Sequence, residues 1–214
     1  INKANATVTG NSATVTYTGA NQAASGFTAS GLVGGETEAV LTGVSASRTA
    51  KNAGSYAVTP SGSDSNYNLS FVDGNLVINK ANATVTGNSA TVTYTGANQT
   101  ASGFTASGLV GGETEAVLTG VSASRTAKNA GSYAVTPSGT DSNYNLSFVD
   151  GNLVINKANA TVTGNSATVT YTGANQTASG FTASGLVGGE TEAVLTGISA
   201  SRTAKNAGSY AVTD

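Results

Sequence analysis

The sequence contains no cysteine, histidine, methionine or tryptophan, and charged residues make up only 9% of its 214 positions. Without cysteine the chain has no disulfide framework and no thiolate metal site. Without histidine it lacks the commonest metal ligand and the usual general base near neutral pH. The formal net charge of −2 provides no basic surface for nucleic acid. We therefore expect no enzyme, no cofactor and no nucleic-acid partner.

Long apolar runs are missing as well, and none approaches the roughly 18 residues that a membrane-spanning helix needs. We therefore expect no membrane span in this chain. Apolar residues are nevertheless patterned, since residues 78–154 carry 18 Val, Ile, Leu, Phe and Tyr side chains, many of them at alternating positions. A disordered chain of low charge would not show this alternation, which is typical of half-buried β-strands.

One sequence unit is repeated along the chain. The string INKANATVTG starts at Ile1, Ile78 and Ile155, so the period is 77 residues. A period of this length is the size of a small domain. The copies are nearly identical, and the differing positions are Ala23 against Thr100, Ser63 against Thr140, Val121 against Ile198 and Pro137 against Asp214.

The repeat can be divided in two ways. The first places repeats at 1–80 (with its core at 4–80), 81–157 and 158–214, and the third then lacks the closing strands. Such an incomplete repeat would expose a sheet edge, which favours pairing with another chain. The alternative division is 1–60, 61–137 and 138–214, with the incomplete piece first. The close connection of each closing segment to the next first strand favours the first division.

Alternating residues predict about seven strands in each repeat. In the first copy these are residues 4–9, 13–18, 26–30, 44–50, 55–59, 67–72 and 75–79. Residues 36–41 form the one helix-like stretch, of about one turn, and residues 19–25 and 60–66 are interpreted as loops. Asp73-Gly74, and Asp150-Gly151 in the second copy, separate two apolar runs and predict a tight hairpin.

Strand spacing and connection length together predict the architecture. Turns every 8–12 residues are typical of antiparallel sandwiches, here of immunoglobulin-like type. Only about three or four residues separate the last strand of one repeat from the first strand of the next. We therefore expect an all-β tandem array of small sandwich modules that forms an elongated rod.

A local motif supports the immunoglobulin-like prediction. Asn52-Ala53-Gly54-Ser55-Tyr56 is similar to a tyrosine corner, in which a tyrosine stands two residues before a buried position, here Val58. Tyr133 and Tyr210 are its equivalents in the later copies. We assign these three tyrosines a structural role, and the alternative is an ordinary half-buried strand tyrosine.

Four segments carry a resemblance to a known family. In the first copy they are Thr16-Tyr17-Thr18-Gly19, then Gly26-Phe27 with Gly31-Leu32-Val33-Gly34-Gly35-Glu36-Thr37, then Asn52-Ala53-Gly54-Ser55-Tyr56, and last Ser65-Asn66-Tyr67-Asn68-Leu69-Ser70-Phe71-Val72-Asp73-Gly74. In this order they resemble the MBG domain of the YGX type, which occurs in arrays in large secreted adhesins and filamentous-haemagglutinin-like proteins of Gram-negative bacteria. The Gly34-Gly35 pair departs from the Asn-Gly more usual there, which changes a turn and not the class. The resemblance implies an extracellular surface module without catalytic residues.

Acidic residues provide the few candidates for site chemistry. Glu36 and Glu38 are two residues apart, and we interpret them as surface acids and not as a catalytic pair. Asp64 and Asp73, with Asn66, could supply oxygen ligands for Ca²⁺. No Asp-x-Asp-x-Asp-Gly loop accompanies them, so they are weak calcium candidates, and the turn already explains Asp73.

These observations lead to two hypotheses for the function. The first is a stalk or spacer of a bacterial adhesin or surface fibre, located outside the cell, whose partners are neighbouring repeats and other copies of the fibre. The alternative is a multivalent module for glycans or matrix polymer in adhesion or biofilm formation. That alternative needs exposed aromatic side chains, whereas Tyr17, Phe27, Tyr56, Tyr67 and Phe71 mostly occupy core-like positions.

Overall fold

The computed structural model describes residues 1–213, and its regular structure there consists of β-strands and single-turn 3-10 helices. The first repeat contains β1 (Ala4–Gly10), β2 (Ala13–Thr16), β3 (Gln22–Ser25), β4 (Phe27–Ser30), β5 (Val44–Ala50), β6 (Gly54–Val58), β7 (Pro60–Gly62), β8 (Tyr67–Val72) and β9 (Gly74–Asn79). The second contains β10 (Ala81–Gly87), β11 (Ala90–Thr93), β12 (Gln99–Ser102), β13 (Phe104–Ser107), β14 (Val121–Ala127), β15 (Gly131–Val135), β16 (Pro137–Gly139), β17 (Tyr144–Val149) and β18 (Gly151–Asn156). The third contains β19 (Thr161–Gly164), β20 (Gln176–Ser179), β21 (Phe181–Ser184) and β22 (Ser201–Ala204). The 3-10 turns lie at Glu38–Val40, Glu115–Val117 and Glu192–Val194.

The prediction of an all-β chain with sandwich modules is confirmed, and the strand count needs a correction. The first repeat has nine strands, because β3 and β7 lie in segments that we predicted to be loops. Their sequences, QAAS and PSG, lack the apolar alternation that indicates a strand. Proline opens β7, which pairs only with β5 at the edge of its sheet, where a missing backbone donor is tolerated.

Three small sheets build the first repeat, with the strand orders β4-β1-β8, β2-β9-β6 and β3-β5-β7. Four of its strand pairs are antiparallel, as predicted. The other two pairs, β1 with β8 and β2 with β9, are parallel. Strand β8 pairs with β1 of the same repeat, from Ala4 opposite Tyr67 to Thr9 opposite Val72.

The predicted hairpin at Asp73-Gly74 is wrong. Strand β8 pairs with β1, whereas β9 pairs with β2 and β6, so Asp73 connects two different sheets. Gly74 does not have the positive φ that a two-residue hairpin turn would require. A Cβ on Gly74 would lie 2.2 Å from the Gly10 carbonyl oxygen, so a close backbone approach explains this glycine. Asp150-Gly151 likewise connects β17 to β18 in another sheet.

The core of the first repeat follows from strand alternation. On β1 the inward residues Ala6 and Val8 are buried and pack in one cluster with Leu41 and Tyr67. On β9 the inward residues are Leu76 and Ile78, which are 0% and 2% exposed. Each buried aliphatic side chain of this size stabilises the folded state by roughly 1.5–3 kcal/mol.

The chain divides into two compact units that do not follow the sequence repeats. The first unit comprises Ile1–Gly87, Gly103–Ala123 and Thr136–Asp150. The second comprises Asn88–Ser102, Ser124–Val135 and Gly151–Asp214. The first unit thus contains the whole first repeat and the β13-β10-β17 sheet of the second, and the second unit contains the β11-β18-β15 sheet and the third repeat. Each unit therefore includes one boundary between sequence repeats.

In the third repeat, β19 pairs with β21 and β20 pairs with β22, and an isolated antiparallel bridge joins Ser201 to Thr213. Residues 165–172 form no strand, although the equivalent segment in the first repeat contains β2. In that repeat β2 depends on β9 for its backbone pairing. Val169 and Tyr171 are accordingly 63% and 61% exposed.

Candidate functional site: the junction between repeats

Consecutive repeats are joined by a very short connection. Strand β9 ends at Asn79 and β10 begins at Ala81, so Lys80 alone lies between them. This is shorter than the three or four residues that we predicted. The Lys80 ammonium group donates a hydrogen bond to the Asp141 carbonyl oxygen at 2.7 Å, which fixes the exposed side chain of this connecting residue. A connection of one residue leaves little freedom for the two repeats to move apart.

The hydrophobic core continues across this boundary inside the first unit. One cluster of buried residues contains members of both repeats: Tyr17, Ala24, Ala46, Val58, Leu76 and Ile78 from the first, and Ala81, Ala83, Val85, Leu118, Val121 and Tyr144 from the second. The Tyr17 and Tyr144 rings meet edge to face, with their centroids 5.5 Å apart and their planes at 84°. Aromatic pairs favour this geometry. The boundary is therefore a packed interface and not a linker.

A carboxylate at the centre of this interface accepts two phenol hydroxyls. The Tyr17 hydroxyl donates to Glu113 Oε1 at 2.5 Å, and the Tyr144 hydroxyl donates to Glu113 Oε2, also at 2.5 Å. Tyr17 follows β2 of the first repeat, whereas Glu113 precedes the 3-10 turn of the second. Because hydrogen bonds to an ionised acceptor are shorter and stronger than neutral ones, this Tyr–Glu–Tyr cluster connects the repeats firmly.

The cluster shifts the pKa of each of its members. Desolvation, followed by the hydrogen bond to Glu113, raises the pKa of Tyr17, and the same two causes raise the pKa of Tyr144. For Glu113, desolvation raises the pKa, but the hydrogen bonds from both tyrosines and the charge of Lys51 outweigh it, so the net shift is downward. At neutral pH the carboxylate is therefore ionised and both phenols keep their protons.

Backbone groups meet closely beside the cluster. Gly19 and Gly111 both have positive φ, at 76° and 64°. A Cβ on Gly111 would lie 2.7 Å from the Thr18 carbonyl oxygen, and one on Gly19 would lie 3.2 Å from the Gly111 Cα. The Ala53 amide also donates to the Asn143 side-chain oxygen at 2.9 Å. Because Gly111 has no side chain, the two repeats can approach this closely.

The second unit contains a junction of the same construction. The Tyr94 hydroxyl donates to Glu190, and this hydrogen bond raises the pKa of Tyr94. A Cβ on Gly96 would lie 3.0 Å from the Gly188 Cα, and one on Gly188 would lie 2.7 Å from the Thr95 carbonyl oxygen. Because these tyrosine, glutamate and glycine contacts occur at both boundaries, they are a property of the repeat sequence.

Tyr56 and Tyr133 lie in β6 and β15, two residues before the buried Val58 and Val135, whereas Tyr210 lies in no strand. The Tyr56 hydroxyl donates to the Asn52 carbonyl oxygen at 2.9 Å, and Val58 is fully buried. Tyr133 and Tyr210 make the equivalent hydrogen bonds to Asn129 and Asn206, at 3.0 Å and 3.2 Å. The Arg48 guanidinium lies 5.4 Å from the Tyr56 ring centroid, within range of a cation–π contact.

The acidic candidates have structural contacts of their own. Asp64 accepts the Asn66 and Tyr67 amides through Oδ1 at 2.7 Å and 3.1 Å, which caps the start of β8. Asp73 is exposed on the connection between sheets. Glu38 accepts the Ala29 amide at 3.0 Å, and Glu36 accepts the Tyr67 hydroxyl. Across residues 1–213, no three acidic residues come together as a group that could hold a metal ion.

The junction was not predicted from the sequence, although the residues that build it lie in the motifs that carry the family resemblance. The Tyr17-Thr18-Gly19 turn and the Gly-Leu-Val-Gly-Gly-Glu-Thr segment stood out as motifs, but only as marks of a family. Their spacing of 96 residues, between Tyr17 and Glu113, spans more than one period and gave no signal of contact. A useful signal would have been the glycines, because two glycine-containing turns in every repeat suggest a close backbone approach.

Comparison with protein families gives two consecutive matches to one family. The profile of the MBG domain (YGX type) matches residues 6–77 and again residues 83–154, which together form more than half of the chain. A search of curated proteins found no match. In the described part of the chain, no helix has the length and apolar character needed to cross a membrane.

Proposed function

Since the chain belongs to the family of MBG domains of the YGX type, we propose that its repeats are spacer modules of an extracellular bacterial surface protein. They would hold an adhesive region away from the cell or build a surface fibre. A spacer has to transmit position from one module to the next, and a packed junction does this better than a flexible linker.

The junction is the observation that carries this proposal. Its short connection, shared core and Tyr–Glu–Tyr cluster fix the relation between neighbouring repeats, and the equivalent tyrosine, glutamate and glycine contacts recur at the second boundary. Near-identical copies suit a spacer, because each added copy can use the same contacts. An enzyme would gain little from repeating one site, and we propose no catalytic activity.

The aromatic residues give the glycan-binding alternative little support. Tyr17 and Tyr67 are buried, Phe27 and Tyr56 are half-buried, and Phe71 is the one exposed aromatic side chain of the first repeat. A sugar platform needs aromatic faces open to solvent. We therefore retain the spacer as the proposed function.

Chains that differ by whole repeats test the proposal. Deleting residues 81–157 removes one period and joins Lys80 to Ala158, which restores the original local sequence. We expect the maximum dimension, measured by small-angle X-ray scattering, to change by a constant step for each repeat deleted or added. The dimension of a flexibly linked chain grows only with the square root of its length, so each further repeat would add a smaller step.

The matched control disrupts the contacts of both junctions, with Glu113→Ala and Gly111→Ala at the first and Glu190→Ala and Gly188→Ala at the second. These chains should lose the constant step while keeping their strand content by circular dichroism. A constant step in the control chains would mean that the junction does not set the spacing. If deleting one repeat abolished attachment to a surface glycan while length had no effect, the spacer function would be wrong.

A further inference from the structure

Most contacts at the first junction are independent of the covalent connection. Tyr17 and Glu113 are 96 residues apart, and Ala53 and Asn143 are 90 residues apart. Only Lys80 continues the chain between the two strands, and its side chain is exposed. The forces that hold the repeats together therefore lie in the surfaces and not in the link.

The two surfaces have the composition of a protein–protein interface. Each contributes buried apolar side chains to a common cluster, with Leu76 and Ile78 on one side and Val85 and Leu118 on the other. A central aromatic pair with a charge-assisted hydrogen bond is the kind of anchor that dominates binding energy at interfaces. Glu113 has both carboxylate oxygens hydrogen-bonded, so the buried side of the cluster is electrostatically satisfied.

We infer that the junction is a binding interface in its own right, whose partner is another repeat of the same kind. It holds two repeats together after the chain between them has been cut. The interface is heterologous, because one repeat supplies the Tyr17-Thr18-Gly19 turn and the other supplies Gly111 and Glu113. This inference goes beyond the spacer function, since it assigns a partner to the surface and makes the link dispensable.

The physical consequence is that the array tolerates a break in the chain at its connections. Lys80 is an exposed basic residue between two strands, which is the kind of position that proteases with basic specificity attack. A single cut there leaves the Tyr–Glu–Tyr cluster, the shared core and the Gly19–Gly111 approach in place. An array of such repeats would keep its length after being nicked at its connections.

The experiment cuts the full-length chain at this connection. A recognition sequence for a site-specific protease is inserted after Lys80, and the chain is digested to completion. Size-exclusion chromatography with light scattering then gives the mass in solution, and the uncut insertion chain is the reference. We expect the digested chain to run as one particle with the mass of the uncut chain at micromolar concentration.

Variants at matched positions identify the surface that binds. Glu113→Ala should weaken the association of the two fragments by about ten- to hundredfold, because it loses the charge-assisted hydrogen bond from Tyr17. Gly111→Ala should weaken it by a similar factor, because the added Cβ would lie 2.7 Å from the Thr18 carbonyl oxygen. Glu36→Ala and Gly34→Ala change the same sequence positions in the first repeat, away from the described junctions, and should leave the association unchanged.

Several outcomes would overturn the inference. Wild-type fragments that separate at every concentration, or that unfold after the cut, show that the link is required. Equal weakening by the Glu36→Ala and Glu113→Ala variants shows that the surface is not the one described. If the fragments separate while uncut chains still lengthen by a constant step per repeat, the interface is refuted and the spacer function stands.

Discussion

The turn at residues 31–37 and the turn at residues 108–114 have the same sequence, Gly-Leu-Val-Gly-Gly-Glu-Thr, and nearly the same backbone. Gly34 and Gly111 have φ values of 67° and 64°. Their surroundings differ, since nothing lies within 4 Å of a Cβ on Gly34, whereas one on Gly111 would lie 2.7 Å from the Thr18 carbonyl oxygen. The local sequence therefore builds the turn, and contact with a neighbouring repeat does not reshape it.

The glutamates of the two turns show the same contrast. Glu36 accepts one phenol hydroxyl, from Tyr67 of its own repeat. Glu113 accepts the equivalent Tyr144 and also Tyr17 of the preceding repeat. A surface that has its bound shape before its partner arrives loses little entropy on binding. The first repeat thus provides an internal control for every substitution at the junction.

Alanine at the two glycines gives one of the two largest expected differences in unfolding free energy. Gly34→Ala places a side chain at positive φ and should cost about 1–2 kcal/mol of unfolding free energy. Gly111→Ala carries the same strain and adds overpacking against Thr18, a further 1–3 kcal/mol or so. Urea unfolding of both variants measures the difference. Equal losses would mean that the backbones at the junction do not meet as described.

Alanine at the two glutamates should also give a large difference in unfolding free energy. Both variants lose the hydrogen bond from the tyrosine of the same repeat, so that loss cancels in the comparison. Glu113→Ala also loses the hydrogen bond from the Tyr17 hydroxyl. We expect it to cost about 1.5–3 kcal/mol more unfolding free energy than Glu36→Ala. The measurement is again the free energy of unfolding in urea. A smaller loss for the Glu113 variant would contradict the proposed cluster.

Removing one hydroxyl should have a smaller effect. Tyr17→Phe keeps the edge-to-face contact with the Tyr144 ring and deletes only the donor to Glu113, at an expected cost of roughly 1–2 kcal/mol. Tyr171→Phe changes the equivalent residue of the third repeat, which is 61% exposed, and should be nearly neutral. A double-mutant cycle of Tyr17→Phe with Glu113→Ala isolates the pairwise energy. Additive losses would show that the two residues do not interact.

The fold class could be predicted from the sequence because it is encoded locally. Alternation in segments such as ATVT and GNLVIN predicted β2 and β9, and one-turn helicity was expected around Glu38. Strands β3 and β7 escaped prediction, since their short polar sequences owe their extended form to pairing with β5. The Asp73-Gly74 hairpin failed for a related reason, because tertiary packing of Gly74 against Gly10 overrode the local turn preference.

The junction could not have been predicted in the same way. Glu36 and Glu113 have identical neighbours in sequence, and nothing local distinguishes the one that binds a second tyrosine. The distinction comes from the three-dimensional position of the preceding repeat. Internal repetition adds to the difficulty, because a pattern seen in every copy suggests that each copy uses it alone.

The smallest expected difference is in how acidification lowers the unfolding free energy of the wild type and of a Glu113 variant. Hydrogen bonds from Tyr144 and Tyr17, with the charge of Lys51, outweigh desolvation and lower the pKa of Glu113 in the folded chain. A carboxyl with a lowered folded-state pKa contributes stability that is complete above its unfolded pKa of about 4.3. That contribution disappears as the pH falls through the lower folded-state value.

Glu113→Gln removes this titration while keeping the size of the side chain. Between pH 6 and pH 3, or thereabouts, the variant should lose less unfolding free energy than the wild type. Glu38 and Glu115 also have lowered pKa values, because the Ala29 and Ala106 amides donate to them, so both chains share that part of the acid loss. Only the difference between the two pH profiles therefore reports on the junction. Identical slopes would mean that the Glu113 charge does not stabilise the contact between repeats, and the shared apolar core would then hold the junction alone.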